Sequence, residues 1–212
     1  MRISTSSIML LREKCPQFIE GVSAEELPSR LEGSKLDLTV EAVHVVRERN
    51  YNAYIGTESR VTPETAEIEC RDFPVLSRLP RGRRGWTLTE GYYLIRTKES
   101  LKLPHWMSAT VHERTTVFKC GVLVRSTAVD PGFHGKIVAG LYVPEMTALT
   151  IEEGARVLSV EFEPIIQMQL SSLPNDAPVG FVLSTAPECN SVYGGIWGGD
   201  KMSTQGETER AH

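Results

Sequence analysis

The sequence predicts an all-β fold, a sandwich or a barrel, with one short helix near its amino terminus. Short apolar and β-branched runs recur about every ten residues, and turn-forming residues separate them, which is typical of sheets built from short connected strands. The clearest runs are residues 38–40, 43–46, 92–95, 122–124, 136–139 and 157–162.

Helical signals are confined to the beginning of the chain. Residues 6–14 combine serines, a short apolar run and charged residues, and they predict one helix with a serine cap that ends near Pro16. Residues 24–27 predict a single helical turn after Ser23, which is a natural N-cap. After these two segments the chain shows short apolar runs split by turn residues, so the remainder of the fold is expected to be mainly sheet.

Length and composition indicate one ordinary globular domain. The chain has 212 residues, of which 41% are hydrophobic and 24% charged, and this is enough to bury a full core. We expect a single domain over residues 1–183. Residues 184–212 are rich in Gly, Ser and Thr and predict a flexible tail. Within it, residues 193–199 set aromatics among glycines, so this segment either stays disordered or covers another surface.

Charge and apolar content exclude several classes of protein. The formal net charge is −4, which does not suggest a nucleic-acid surface. A local arginine cluster within residues 78–84 is interpreted as a solvated loop. The longest early apolar run, residues 8–11, is too short for a membrane span. We therefore expect a cytoplasmic protein with neither a membrane nor a nucleic acid as partner.

Metal-ligand spacing is missing from the sequence. The four cysteines form no CxxC pair, and the five histidines show no ligand spacing with them. This pattern argues against a zinc site and against the zinc-dependent cytidine deaminases.

The most informative segment is residues 127–137, which contains an acidic residue, a Pro-Gly turn and an aromatic ring. Pro131 restricts φ, and Gly132 tolerates the positive φ of a type II turn. The turn would hold the carboxylate of Asp130 and the ring of Phe133 in a fixed relation. From the residues alone, this segment predicts either an ordinary hairpin or a site that orients a water and packs under a sugar.

A second segment just upstream carries the chemistry of phosphate binding. Arg114 supplies a fork-shaped cation, Thr115 and Thr116 supply two hydroxyls, and Lys119 adds a second charge about one turn later. Hydroxyls, cations and backbone N–H groups are the means by which proteins hold the charges of a nucleoside triphosphate. A surface loop with no ligand is the alternative interpretation.

These two segments, in this order, resemble the dCTP deaminase and dUTPase superfamily. Its members carry an Arg-Ser-Ser or similar phosphate loop, then a short strand, then an Asp-Pro-Gly-aromatic or related turn. The amino-terminal arrangement and the chain length are more similar to dCTP deaminases than to the shorter dUTPases. Three further stretches match the family's order and spacing: residues 34–38, residues 91–104 and residues 154–164.

The resemblance implies a distorted β-barrel and a homotrimer with sites at the subunit interfaces. It places Asp130 near the deoxyribose 3′-hydroxyl and the attacking water, and Phe133 beneath the deoxyribose. It makes Asp37 an architectural residue. The remaining residues it implies are the substrate-binding set Arg114, Thr115, Thr116, Lys119 and Ala128, and Tyr193 and Trp197 in a closing carboxyl-terminal lid.

One position departs from the family pattern. The glutamate that shuttles a proton in dCTP deaminases is replaced by Gly140, and glycine has no side chain to move a proton. We therefore predict hydrolysis of a pyrimidine deoxynucleoside triphosphate, dUTP or dCTP, to monophosphate and diphosphate, with Mg²⁺ aligning the phosphates. Two alternatives remain: dCTP deamination with a substitute base, either Glu145 or a residue of a neighbouring subunit, and a nucleotide-binding or regulatory paralogue without activity. A hollow at Gly140 that admits a substituted base is a further expectation.

Overall fold

A computed structural model describes residues 2–47, 53–73 and 82–165. The helices are α1 (Thr5–Lys14), α2 (Leu27–Arg30) and α3 (Thr115–Lys119), with a 3-10 helix at Pro16–Phe18. The strands in the first half are β1 (Ile19–Glu20), β2 (Leu31–Glu32), β3 (Lys35–Val46), β4 (Tyr54–Ile55), β5 (Arg60–Val61), β6 (Thr65–Glu67), β7 (Arg71–Asp72) and β8 (Arg84–Leu88). The later strands are β9 (Gly91–Lys102), β10 (Met107–Glu113), β11 (Leu123–Arg125), β12 (Ala128–Val129), β13 (His134–Val143), β14 (Leu149–Glu152) and β15 (Arg156–Pro164).

The main sheet confirms the predicted all-β class. Its strands run in the order β11-β13-β9-β3-β15-β10-β12, and every pairing is antiparallel. Strand β3 joins the two halves, because its first part pairs with β15 and its second part with β9. The sheet curls into a half-barrel. Two small sheets, β14-β8-β7 and the hairpin β4-β5, accompany it.

Bulges produce much of this curvature. The registers shift between Val40 and Ala42 on β3 and between Lys136 and Val138 on β13. An extra residue bends a strand and increases its local twist. At the β13 bulge the backbone N–H of Ile137 is not orphaned, since it donates to the Thr97 hydroxyl at 3.0 Å.

The amino-terminal helix matches the prediction to within one residue. Helix α1 begins at Thr5, and the Ser4 hydroxyl accepts a hydrogen bond from the Ser7 N–H. The turn after Ser23 also forms, with the Ser23 hydroxyl accepting from the Glu26 N–H at 3.1 Å, but the helix itself is displaced to α2. Pro28 in the first turn of α2 accounts for this, because proline is well tolerated at a helix start.

The core lies between the two curled halves of the sheet and is closed by α1 and the 3-10 helix. Phe18 packs against Phe162 with ring centroids 5.1 Å apart. Ile8 from α1 is fully buried against the same cluster. The apolar runs that predicted strands therefore supply this core from their inward faces.

A buried carboxylate network links β9 to β3. Glu99 is fully buried, and its carboxylate accepts from the Thr39 N–H at 2.8 Å and from the Thr39 hydroxyl at 2.6 Å. Arg30, at the end of α2, donates to the same carboxylate at 3.3 Å and also pairs with Glu26 at 2.6 Å. Burial of an unpaired carboxylate is costly, so this set of donors is what allows Glu99 to be in the core.

No helix within the described ranges is long and apolar enough to cross a membrane. The arginines of the predicted basic loop that fall in the described part are paired. Arg83 contacts Glu152 at 2.8 Å, and Arg84 lies 3.9 Å from Asp72. The predicted tail, with its boundary at residues 183 and 184, lies outside the described residues.

Candidate active site

The Pro-Gly segment forms the predicted tight turn. The Phe133 N–H donates to the Asp130 carbonyl at 3.1 Å, which closes a four-residue turn between β12 and β13. Gly132 has a φ of +77°, as the third residue of a type II turn requires. A side chain at this position would be strained, so the glycine determines how the turn presents its neighbours.

The turn exposes the carboxylate and half-buries the ring. Asp130 is exposed, whereas Phe133 packs partly against the core and its carbonyl accepts from the Leu103 N–H at 2.8 Å. Ala128 is exposed on β12, directly opposite Thr110 of β10. A fixed ring beside a solvent-accessible carboxylate is an arrangement that can hold a sugar and orient a water.

The Arg-Thr-Thr segment lies at the start of helix α3. Arg114 has extended backbone angles and precedes the first turn, in which the Phe118 N–H donates to the Arg114 carbonyl at 3.1 Å. Thr115, Thr116 and Lys119 are all exposed, and the buried Val117 anchors the helix on its other side. The hydroxyls and the ammonium group are therefore presented together to solvent.

Asp37 holds Arg114 in place. Its Oδ1 lies 3.1 Å from Arg114 Nε, and its Oδ2 lies 3.8 Å from Arg156 Nη1. The carboxylate is nearly buried, and burial raises the pKa of Asp37, an effect that the positive charges of Arg114 and Arg156 oppose. The guanidinium of Arg114 uses its Nε for Asp37, so its Nη groups keep donors for a ligand. This geometry agrees with the expectation that Asp37 is architectural.

The structure does not bring Asp130 and Arg114 together within one chain. Strand β12 runs antiparallel to β10, with Ala128 opposite Thr110, so Asp130 lies near the start of β10. Arg114 comes directly after the end of β10. At ~3.3 Å per residue, the two residues are about 20 Å apart along the strands. Within one chain, the Asp130 turn and the Arg114 segment are therefore separate.

The predicted hollow at Gly140 is not present, because the Tyr92 side chain fills it. A Cβ on residue 140 would overlap the Tyr92 hydroxyl oxygen and lie 2.8 Å from its Cζ. Tyr92 reaches this place from β9, where it is two residues from Leu94, the partner of Gly140. The expectation of an open space beneath a substituted base was wrong, because cross-strand packing could not be foreseen from the sequence.

Glu145, the candidate substitute base, lies beyond the end of β13. It is exposed in the turn that follows Pro144, where the Thr147 N–H donates to the Pro144 carbonyl at 3.2 Å. At ~3.3 Å per residue it is about 16 Å along the chain from Gly140, well beyond the reach of a glutamate side chain. Within one chain, Glu145 does not replace the missing carboxylate.

The structure also draws attention to two residues that the sequence did not single out. Tyr92 covers Gly140, and Arg125 of β11 lies directly opposite Gly140 on the other side of β13. The one available signal was the glycine itself, since a glycine inside a strand often marks a close approach by another group.

The expected lid and the expected metal concern different parts of the chain. The predicted lid residues Tyr193 and Trp197 lie outside the described residues. Within the described ranges, no group of three His, Cys, Asp or Glu side chains could hold a metal ion.

Comparison with known proteins identifies the family. The model of a family described as dCTP deaminase-like matches residues 20–165, which include the Arg-Thr-Thr segment, the Asp130 turn and Gly140. The chain belongs to the dCTP deaminase-like family. The resemblance in the sequence is thereby confirmed, and the protein's biochemistry falls within dCTP deaminase/dUTPase-like nucleotide metabolism.

Curated relatives of this dCTP deaminase-like chain carry two different names. It is 32% identical over 142 residues to a "dCTP deaminase, dUMP-forming" of Coprothermobacter proteolyticus, covering 66% of this chain and 71% of the relative. It is 21% identical over 161 residues to a "Probable deoxyuridine 5'-triphosphate nucleotidohydrolase" of Methanosarcina barkeri, covering 76% and 86%. The names span both reactions, so they do not determine which one this member performs.

A solved structure shares the fold. The 2'-deoxycytidine 5'-triphosphate deaminase from Agrobacterium tumefaciens superposes with a TM-score of 0.55 at 16% identity, over 76% of this chain. This chain spans about half the length of that deaminase, with 46% covered. At this identity the likeness establishes the fold alone.

Proposed function

We propose that this protein hydrolyses a pyrimidine deoxynucleoside triphosphate, dUTP or dCTP, to its monophosphate and diphosphate. The observation that carries the proposal is the pair formed by Gly140 and Tyr92. The position where deaminases of this family have a proton-shuttling glutamate has no side chain, and Tyr92 occupies the space. The phosphate loop and the Asp130 turn nevertheless keep the features that triphosphate hydrolysis needs.

Phosphate binding would fall to the start of α3. The exposed hydroxyls of Thr115 and Thr116 can donate to phosphate oxygens, and Lys119 adds a positive charge on the same side of the helix. Arg114, oriented by Asp37, contributes guanidinium donors. Lysine binds phosphate as a point charge rather than through a bidentate fork, which suits a flexible polyphosphate.

The reaction itself would depend on Asp130. Its exposed carboxylate would orient a water and accept its proton as the water oxygen attacks the α-phosphorus. The bond between the α-phosphorus and the bridging oxygen then breaks, and diphosphate leaves with the electron pair. Phe133 would pack beneath the deoxyribose, where a 2′-hydroxyl would meet the ring. Such an apolar contact favours deoxyribose by about 1–3 kcal/mol.

Mg²⁺ fits this chemistry as part of the substrate complex. Magnesium commonly keeps several waters and binds through substrate phosphates with one or two carboxylates, so it needs no protein cage. When bound, it would neutralise and align the phosphate charges. The donor set agrees with this, because the phosphate loop contributes hydroxyls and cations rather than metal ligands.

The distance between Asp130 and Arg114 supports a homotrimer. Since the two residues lie about 20 Å apart in one chain, the phosphate loop of one protomer would meet the Asp130 turn of another. A closed ring of three copies provides three such sites with a single type of contact. Light scattering that shows a monomer in the presence of substrate would contradict this arrangement.

A product assay tests the proposed function. The protein with Mg²⁺ is incubated with dUTP, dCTP, dTTP and CTP, and products are resolved by ion-pair chromatography. We expect dUMP or dCMP with diphosphate, and loss of this activity by about 100-fold or more in Asp130→Asn. Glu145→Gln is the matched control, because it removes another exposed carboxylate at a turn and should leave the rate unchanged.

Other products would select the alternatives. Release of ammonia and dUTP from dCTP would show deamination with another base, and its survival in Glu145→Gln would exclude Glu145 as that base. Saturable deoxynucleotide binding without any turnover would identify a binding or regulatory paralogue.

A further inference from the structure

On one face of the main sheet, Tyr92 and Arg125 lie around Gly140, and neither side chain has a polar partner among the described residues. On β13, Gly140 has Leu94 of β9 on one side and Arg125 of β11 on the other. Residues that are directly opposite in an antiparallel pair point to the same face, so Arg125 shares the face that Tyr92 covers. Tyr142 and Leu123, one pair along, extend this face as exposed apolar surface.

The position of Tyr92 depends on the absence of a side chain at residue 140. Its Cζ lies 2.8 Å from where a Cβ would be, closer than real Cβ contacts come, and its Cε2 lies at 3.0 Å, which is a tight contact. The hydroxyl therefore rests over the backbone of β13. Within the described part of the chain the Tyr92 hydroxyl makes no hydrogen bond, so both its donor and its acceptor capacity remain available.

Arg125 brings a second set of donors to the same place. Side chains opposite each other on paired strands have Cβ atoms about 4.5–5.5 Å apart, so the Arg125 side chain starts beside the Tyr92 hydroxyl. Among the described residues Arg125 has no ion-pair partner, unlike Arg96, which is held by Glu41 at 3.2 Å on the same sheet. An unpaired guanidinium next to a phenol offers several donors to one acceptor oxygen.

This cluster includes the end of β11, which is tied to β10, the strand that leads to Arg114. The Ser126 hydroxyl, one residue after Arg125, donates at 2.7 Å to the carbonyl of Val111, three residues before Arg114. The phosphate loop already supplies cations and hydroxyls for a polyphosphate. On the side of Tyr142 and Leu123 the surface beside the cluster is aromatic and aliphatic, and such a surface suits a flat ring.

We infer that Tyr92 and Arg125 recognise the pyrimidine base through a ring carbonyl, and that they select uracil over cytosine. This rests on the proposed function, since it assumes that a nucleotide occupies the phosphate loop. The carbonyl at position 4 of uracil accepts hydrogen bonds, whereas the amino group of cytosine donates them. Arginine can only donate, and a phenol whose oxygen accepts from that guanidinium has its O–H left to donate, so the amino group of cytosine would face donors from both residues.

Kinetics with a matched tyrosine pair test the inference. Tyr92 and Tyr142 are cross-strand partners with the same exposure, 39%, so Tyr92→Phe and Tyr142→Phe each remove one hydroxyl from the same face. We expect the wild type to prefer dUTP in kcat/KM. Tyr92→Phe should lower the dUTP-to-dCTP ratio by about 5-fold to 10-fold, mainly through KM for dUTP. Arg125→Gln should change the ratio in the same direction, and Tyr142→Phe should change it by less than about 2-fold.

Binding of non-hydrolysable α,β-imido dUTP and dCTP, measured by calorimetry, separates this inference from the proposed function. If the protein hydrolyses its substrate but the dUTP-to-dCTP ratio of kcat/KM is the same in Tyr92→Phe and Tyr142→Phe, the inference alone is overturned. A wild type that prefers dCTP overturns it as well. Absence of hydrolysis together with Tyr92-dependent preference for the dUTP analogue overturns the proposed function alone. Failure to bind either analogue overturns both.

Discussion

Replacement of Glu99 by glutamine tests the buried network that links β9 to β3. The carboxylate accepts three hydrogen bonds, two from Thr39 and one from Arg30. Glutamine has nearly the same shape but no charge, and its NH₂ group would face a donor. The expected cost combines one lost charge-assisted hydrogen bond, about 1.5–3 kcal/mol, with the weakened pairing of a buried arginine. Because Glu26 still pairs with Arg30, we expect Glu99→Gln to lower the free energy of unfolding by about 3 kcal/mol and not by more.

Glu26→Gln is the matched control for Glu99→Gln. Both carboxylates pair with Arg30, but the Glu26 side chain is 42% exposed and the Glu99 side chain is fully buried. The exposed pair should contribute less than about 1 kcal/mol. Urea unfolding monitored by fluorescence of the buried Trp86 measures both at one protein concentration. Equal losses in the two variants would refute the argument that burial makes the Glu99 network costly to break.

Three further predictions concern pH and the site. Arg114→Gln should raise the pKa of Asp37 further above its ordinary 3.8, and an NMR titration of the carboxyl group would measure this shift. A raised pKa means that the free energy of unfolding falls as pH rises through that pKa, so in the variant this fall should extend to higher pH. Burial lowers the pKa of His44 below 6.5, so the free energy of unfolding should fall as pH decreases below about 6.5, and Glu67→Gln should lower that pKa again in an imidazole NMR titration. Gly132→Ala should cost about 1–2 kcal/mol because φ is +77°, and an unchanged urea midpoint would contradict it.

Local sequence signals were sufficient wherever one short segment decides the structure. Pro131 and Gly132 determine the turn through their own backbone preferences, and Ser23 caps the turn that follows it. The apolar runs became strands because their side chains have one face to bury. These features depend on neighbours within a few residues, so the sequence predicts them directly.

Contacts between distant strands could not be predicted in this way. Tyr92 covers Gly140 across a strand pair, and the sequence does not specify the register that brings them together. The ion pair between Arg114 and Asp37 joins segments that are far apart in the chain. The sequence analysis named both residues but did not predict that they are in contact. Register depends on the whole sheet, including its bulges, and one residue of slip would place each side chain on the other face.

The amino-acid sequence alone was enough to indicate the fold class and the family, and it has a glycine at position 140, where the resemblance leads us to expect a glutamate. The tertiary structure decided that Tyr92 fills the space beside Gly140, and it placed Asp130 about 20 Å from Arg114 along the strands. The physical reason is that residue identity and local backbone preference act over a few residues. The proximity of functional groups, in contrast, follows from strand order and register across the entire sheet.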